Sequence, residues 1–270
     1  MGGSRENWRY TPKELSWLLF NERVLQEAAD RSVPVIQRVR YLGIFSSNLD
    51  EFFRVRVADV KRLVAFSSGS KKDEHVALLE KIMARVQQLQ EAYGETYQTL
   101  LKELRKRKIY LINEMQLTVR QSDFVRAYFE SKVLPELSPI MVSEKEKFPF
   151  LKEGSIYLAV KMRCKKQVSY AVLEIPSKRI GRFIRLPSRS KGRERVFITL
   201  DNIIRHCLKD VFMGALPIDT IEAYTIKITR DAELDLGEGI SESLVEKMSA
   251  SLKKRLKGAP VRFVYDEAIT

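Results

Sequence analysis

The chain has 270 residues, 44% of them apolar and 31% charged, a balance that fits a soluble globular protein with enough chain for one or two cores. No run approaches the roughly 18–20 apolar residues of a membrane span, and the opening Met-Gly-Gly-Ser-Arg-Glu lacks the apolar stretch of a secretory signal. Lys and Arg total 48 against 35 Asp and Glu, a net charge of +13 that draws in polyanions such as nucleic acid, an anionic membrane surface or an inorganic polymer, without choosing among them.

In chain order, the first 110 residues read as helical. Thr11-Pro12-Lys13-Glu14 has the form of a helix start: a capping threonine, a proline at the first helical position and a glutamate that completes a capping box. Leu15, Leu18, Leu19, Val24, Leu25 and Ala28 follow at helical spacing. Pro34 opens a second helix with Val35, Val39, Leu42 and Phe45 on one face. Ser46-Ser47-Asn48 is expected to interrupt it, and Asp50-Glu51 to begin a third helix carrying Phe53, Val57, Val60 and Val64. Ser67-Ser68-Gly69-Ser70 reads as a flexible connection. A long helix over about 72–107 follows, with Val76, Leu79, Met83, Val86, Leu89 and Tyr93 along one face. Its basic end, Lys102 to Lys108, suits the negative end of the helix dipole.

A domain boundary is expected near residues 108–112, giving a helical domain over 1–110 and a second domain over 111–270. Residues 119–134 read as one more helix, stopped near Pro135 and Pro139. Strand-like runs then appear at Ser155 to Met162, Val168 to Ile175, Arg182 to Leu186, Val196 to Leu200, Thr220 to Thr229 and Val261 to Tyr265. Helices are expected at Leu200 to Phe212 and Ser241 to Lys257. The fold class is α+β: a helical bundle followed by a mixed domain with a largely antiparallel sheet.

The chemistry-bearing residues are sparse. Cys164 and Cys207 stand in no metal-ligand spacing and read as reduced thiols. His75 and His206 are isolated and read as ordinary helix histidines. Arg230, Asp231, Glu233 and Asp235 alternate as on the polar face of a strand. Residues 163–195 hold eleven basic side chains against Glu174 and Glu194, either a solvated surface or a polyanion contact. No recognition helix or aromatic RNA-binding motif accompanies them, so no specific nucleic-acid partner is expected.

Two stretches identify the family. Glu14-Leu-Ser-Trp-Leu-Leu-Phe-Asn-Glu-Arg-Val-Leu-Gln-Glu-Ala-Ala-Asp30 and Arg40-Tyr-Leu-Gly-Ile-Phe-Ser-Ser-Asn-Leu-Asp-Glu-Phe-Phe-Arg-Val-Arg56 resemble the opening domain of the first family of polyphosphate kinases, the bacterial enzymes that polymerise the γ-phosphate of ATP. Val133 to Ile140, Phe148 to Leu151, Arg182 to Pro187 and Ile228 to Leu236 resemble that family's head domain. The resemblance implies a helical N-terminal domain, a head domain that forms a homodimer, and two later catalytic domains holding the phosphorylated histidine and the Mg²⁺ ligands. This sequence has no match to those later segments, so it reads as a fragment, inactive alone, with neither catalytic nor metal residues of its own. ATP and inorganic polyphosphate are the implied partners and the cytoplasm the implied location, with membrane association left open. A standalone polyanion-binding or regulatory module that pairs with a full-length kinase is the alternative.

The resemblance also marks one site residue. The asparagine of the Ser-Ser-Asn-Leu-Asp-Glu-Phe-Phe segment, here Asn48, contacts ATP in the family. An amide carries both a donor and an acceptor, so it can meet a base edge or a ribose hydroxyl without adding charge. The competing expectation is that Asn48 caps the helix expected after it. Arg54 and Arg56 are expected to form salt bridges with Asp50, Glu51 or Asp59, and Phe52 and Phe53 to lie in the core.

Overall fold

The computed structural model describes residues 11–143, 145, 147–165, 167–188, 194–212, 218–232 and 258–269. The chain divides into two compact units, one of residues 1–102 with 231–233 and one of residues 103–230 with 234–270.

The first unit is built on helices α1 (Lys13–Ala29), α2 (Val35–Phe52), α3 (Ala58–Phe66) and α4 (Gly69–Lys106). In α1, Leu18, Leu25 and Ala28 are buried at helical spacing, with Glu14 and Asn21 on the same stripe. The connection from α1 to α2 is short, and contacts pair residue 28 with 38 and residue 21 with 45 and 48, so the two helices form an antiparallel hairpin. Arg38 locks its closed end. The Arg38 guanidinium is buried and donates to the Ala28 carbonyl at 2.8 Å and the Ala29 carbonyl at 3.4 Å, partnering carbonyls that the last turn of α1 leaves outside the helical ladder. Ile82, Val86 and Leu89 bury the middle of α4, where Tyr93 stacks on Phe45 at 5.6 Å and Arg85 pairs with Glu22.

Several local expectations give way here. No Thr11 capping box forms: Pro12 is the N-cap of α1, and no side chain caps it. Ser46-Ser47-Asn48 does not break α2, which runs on to Phe52; serine is only mildly unfavourable in a helix, and Phe45, Leu49 and Phe52 hold the turn in the core. The expected third helix is instead a π turn, Phe53–Val57, leading into α3. Val39 is exposed, and its place on the buried stripe is taken by Arg38. Helix α4 begins at Gly69, so only Ser67 and Ser68 connect α3 to α4. Met83 is exposed, and Ile82 takes the buried position beside it.

The second unit carries two sheets. A three-stranded sheet has the order β1-β6-β5, with β1 (Ile109–Ile112) parallel to β6 (Arg195–Thr199) and β5 (Phe183–Leu186) antiparallel to it. A five-stranded antiparallel sheet has the order β2-β4-β3-β7-β8, from β2 (Ile140–Val142), β3 (Ile156–Cys164), β4 (Gln167–Glu174), β7 (Thr220–Arg230) and β8 (Pro260–Tyr265). Strands β1 and β2, with four and three residues, are not among the expected strands; their runs Ile-Tyr-Leu-Ile and Ile-Met-Val are wholly apolar and carry no alternation.

One core joins both sheets to the helices α5 (Val119–Tyr128), α6 (Ser177–Ile180), α7 (Leu200–His206) and α8 (Leu208–Val211). Leu158, Val160 and Met162 of β3, Val196 and Ile198 of β6, and Ile203 and Ile204 of α7 all point into it. The helix expected over 119–134 starts with a true capping box, in which Thr118 Oγ accepts from the Gln121 amide at 3.4 Å and Gln121 Oε1 accepts from the Thr118 amide at 3.2 Å. It ends in a second π turn, Phe129–Val133. The expected helix over Ser241 to Lys257 lies outside the described residues.

Candidate functional site

The site is built at the open end of the α1–α2 hairpin. Asn21 is wholly buried on the apolar stripe of α1 and donates through Nδ2 to the Phe45 carbonyl at 3.2 Å. Asn48, half-buried on the facing side of α2, donates through Nδ2 to Asn21 Oδ1 at 3.1 Å. The inner asparagine therefore orients the outer one. One amide hydrogen of Asn48 is held by Asn21, and a primary amide still has a second hydrogen and a carbonyl oxygen with which to meet a ligand. Because α2 is continuous through residue 48, Asn48 does not cap a helix, and the capping expectation is corrected.

Next along the hairpin, Trp17 of α1 stacks on Phe52 of α2 with ring centroids 4.8 Å apart, and Phe52 meets Phe53 edge-on at 6.2 Å. Phe52 and Phe53 are both buried, as expected of core residues. Arg54 and Arg56 follow within the π turn and are half-buried. Arg54 pairs with Glu51 at 3.6 Å, in line with the salt-bridge expectation, while Arg56 forms no ion pair among the described residues. A π turn widens the backbone and is frequent at functional positions, though a second one, Phe129–Val133, belongs to the second unit and not to this site. Here the Arg54 carbonyl accepts from the Ala232 amide at 3.1 Å, and Asp231 beside it pairs with Arg62, which also pairs with Asp59. Asp231 is thus not on a strand's polar face: β7 ends at Arg230, and the aspartate is held by a cation. Glu233 and Asp235 lie outside the described residues.

The open end of the hairpin thus carries an oriented amide and a stacked aromatic pair, and the π turn that follows carries two arginines, residue types suited to hydrogen bonding and to phosphate charge. Asn21 was not singled out in the sequence, though a signal was present: it is a polar residue at a position where helical spacing calls for an apolar one. The π turn has no such signal.

The remaining candidates lie elsewhere. His75 Nδ1 is 3.1 Å from Ser67 Oγ, at the junction of α3 and α4. His206 Nε2 is 2.8 Å from Ser122 Oγ, and burial together with the nearby Arg126 pushes its pKa below the usual histidine value. Cys207 is buried, and desolvation raises its thiol to about 11. Among the described residues no group of three or more His, Cys, Asp and Glu side chains could hold a metal ion. No described helix is long and apolar enough to cross a membrane.

Residues 10–112 match the model of the polyphosphate kinase N-terminal domain, and residues 120–270 that of the polyphosphate kinase middle domain. The chain is 45% identical over 261 residues to a polyphosphate kinase of Vibrio vulnificus (strain YJ016), covering 95% of this chain and 37% of the relative. It is 47% identical over 258 residues to that of Salmonella typhimurium, covering 95% of this chain and 38% of the relative. The crystal structure of polyphosphate kinase from Porphyromonas gingivalis superposes with a TM-score of 0.78 at 30% identity, over 98% of this chain and 36% of that one. The chain therefore spans little more than a third of the length of these relatives. With both of its units matched in order by successive domain models, the chain belongs to the polyphosphate kinase family.

Proposed function

We propose that this chain forms part of an ATP–polyphosphate phosphotransferase, in which it supplies part of the nucleotide environment and a dimerisation surface but not the reacting groups. The observation that carries the nucleotide role is the Asn21–Asn48 pair, which orients one amide on the helix that runs into the arginine-bearing π turn. Such an amide reads a base or ribose, while guanidinium groups favour phosphate. Phosphoryl transfer also needs a positioned nucleophile and strong compensation of phosphate charge, usually with Mg²⁺. His75 and His206 each hydrogen-bond to a serine within their own unit, and the resemblance assigns the phosphorylated histidine to other domains.

The dimerisation role rests on the outer face of the five-stranded sheet. Cross-strand register puts Tyr157, Val172, Ile226 and Ile228 on that face as a small buried cluster. Ile140, Tyr170, Phe263 and Tyr265 flank it and are exposed. An apolar sheet face of this kind suits burial against a second copy.

The decisive experiment has two arms. Rigorously purified chain given ATP and Mg²⁺ makes no polyphosphate, and robust synthesis would refute the assignment of the reaction to other domains. ATP titration of the same chain, followed by calorimetry, then tests the nucleotide role: measurable affinity that Asn48→Ala weakens supports it, and equal affinity in both proteins refutes it.

A further inference from the structure

Two arginines of the basic segment, Arg185 and Arg195, stand on one face of the three-stranded sheet beside Phe183 and Phe197. The geometry points to the open face of the three-stranded sheet as a binding site for single-stranded nucleic acid, with Phe183 and Phe197 as base-stacking platforms and Arg185 and Arg195 as phosphate contacts.

The register defines this face. Ile184, Leu186, Val196, Ile198 and Ile112 turn inward to the core. Their neighbours along each strand must turn outward, because side chains alternate. Arg185 is paired with Phe197, Phe197 with Leu111, and Arg195 with Ile109. Phe183 is opposite Thr199, which makes it the diagonal neighbour of Phe197, about 7–8 Å away by ordinary sheet geometry. Phe183 is 60% exposed, Phe197 is half-buried, and both arginines are exposed. Lys108, also exposed, leads into β1, and its carbonyl accepts from the Arg195 amide at 2.9 Å. In the run from Lys178 to Arg195 the sole carboxylate is that of Glu194.

Charge alone fits any polyanion, so the aromatics decide the class. A phosphate polymer gains nothing from an exposed phenyl ring. A duplex keeps its base faces stacked within the helix. A single strand offers both a charged backbone and free π-faces, and an aromatic ring beside a cation is the arrangement that uses both. A second copy of the chain is a poor occupant, since two-fold pairing of one face on itself sets arginines against arginines. The two phenylalanines lie on separate strands, so the sequence shows no compact RNA-binding motif; pairing of β5 with β6 brings them together.

The test is fluorescence anisotropy on the 270-residue chain with a labelled uridine dodecamer, an abasic dodecamer of equal phosphate count, and unlabelled polyphosphate as competitor. The expected result is that the abasic strand binds about tenfold more weakly than the uridine strand, and that Phe183→Ala causes a similar loss for uridine while leaving polyphosphate competition unchanged. Arg185→Ala should weaken every anion and reduce the salt slope by about 0.7. An unchanged melting temperature in Phe183→Ala, whose side chain is exposed, separates lost binding from lost fold. Equal affinity for the uridine and abasic strands would overturn the proposal and leave a nonspecific cationic surface. No uridine binding, or an unaffected Phe183→Ala, would overturn it too. A concentration-dependent dimer abolished by Phe183→Ala would assign the face to a second copy instead.

Discussion

Asn48 donates to Asn21 across the α1–α2 hairpin at 3.1 Å, and Asn21, wholly buried, donates in turn to the Phe45 carbonyl at 3.2 Å. The two asparagines carry different burdens, and substitution should separate them. In the full-length enzyme, Asn48→Ala is expected to raise the apparent KM for ATP about three- to tenfold, the worth of one hydrogen bond, with little loss of stability. Asn21→Ala is expected to cost about 1–2 kcal/mol of stability through its lost buried hydrogen bonds, and to raise the KM only by letting Asn48 turn. Chemical denaturation and steady-state kinetics on both variants check this. Loss of stability in Asn48→Ala with unchanged ATP dependence would leave the residue a purely structural role.

Arg38 is the second prediction. Its buried guanidinium partners the Ala28 carbonyl within the core and the part-buried Ala29 carbonyl at the end of α1. Arg38→Ala should destabilise the helical unit by about 2–4 kcal/mol, because charged hydrogen bonds are lost and a buried acceptor is left unmet. Arg38→Lys recovers part of this, since one ammonium cannot reproduce the planar fork. Urea unfolding of the two variants ranks them.

Caps give a direct contrast between two threonines. Thr118 accepts from the Gln121 amide within a complete capping box, so Thr118→Ala should cost about 1 kcal/mol. Thr11 makes no cap bond at the start of α1, so Thr11→Ala should leave the melting temperature unchanged. Equal losses at the two positions would contradict this reading of the helix starts.

The pH dependence of stability should carry a signature of His206. Burial, with help from Arg126, holds its pKa in the folded state below the unfolded value. As pH falls below about 6.5 the unfolded chain takes up a proton that the folded chain resists. Stability is therefore full above that pH and falls as the folded pKa is approached. His206→Gln removes this titration, so the difference in unfolding free energy between pH 7.5 and pH 5.5 should be smaller in the variant. An identical difference in both proteins would show that His206 is not the group responsible.

Thiol reactivity gives the last prediction. Cys207 is buried and its thiol is raised to about 11, whereas Cys164 is half-exposed at the end of β3. The thiolate is the reactive form. Under native conditions at pH 8 an alkylating reagent should modify Cys164 first, with Cys207 reacting only when the chain unfolds. Peptide mass spectrometry of the alkylated protein distinguishes the two.

The parts of the structure that were legible in the sequence are those set by periodicity. Leu18, Leu25 and Ala28 on α1, and the alternation in β3 and β4, follow from apolar spacing, and the structure keeps them. What escaped was set by contacts between distant residues. Val39 and Arg38 exchange places because a guanidinium can serve the end of α1 only from inside. Asp231 leaves its strand pattern because Arg62 holds it. Strands β1 and β2 are wholly apolar runs without the alternation that marks the equally short β5, and pairing with β6 and β4 places them. Asn48 is marked by resemblance alone, and its hydrogen bond to Asn21 exists only in the folded hairpin.

The π turn at Phe53–Val57 has a consequence for mutational tolerance. An α-helix advances about 100° per residue, and the wide turn accommodates its sequence with a different phase. Removing Arg54 would allow ordinary helix from α2 into α3 with every hydrophobic side chain retained. Because a π turn holds one residue more than an α turn, Val57 and Val60 beyond it would keep nearly the phase that buries them now. That stretch should therefore tolerate a single deletion better than an ordinary helical turn would: its extra residue changes which side chains the turn presents and leaves the packing beyond it in step.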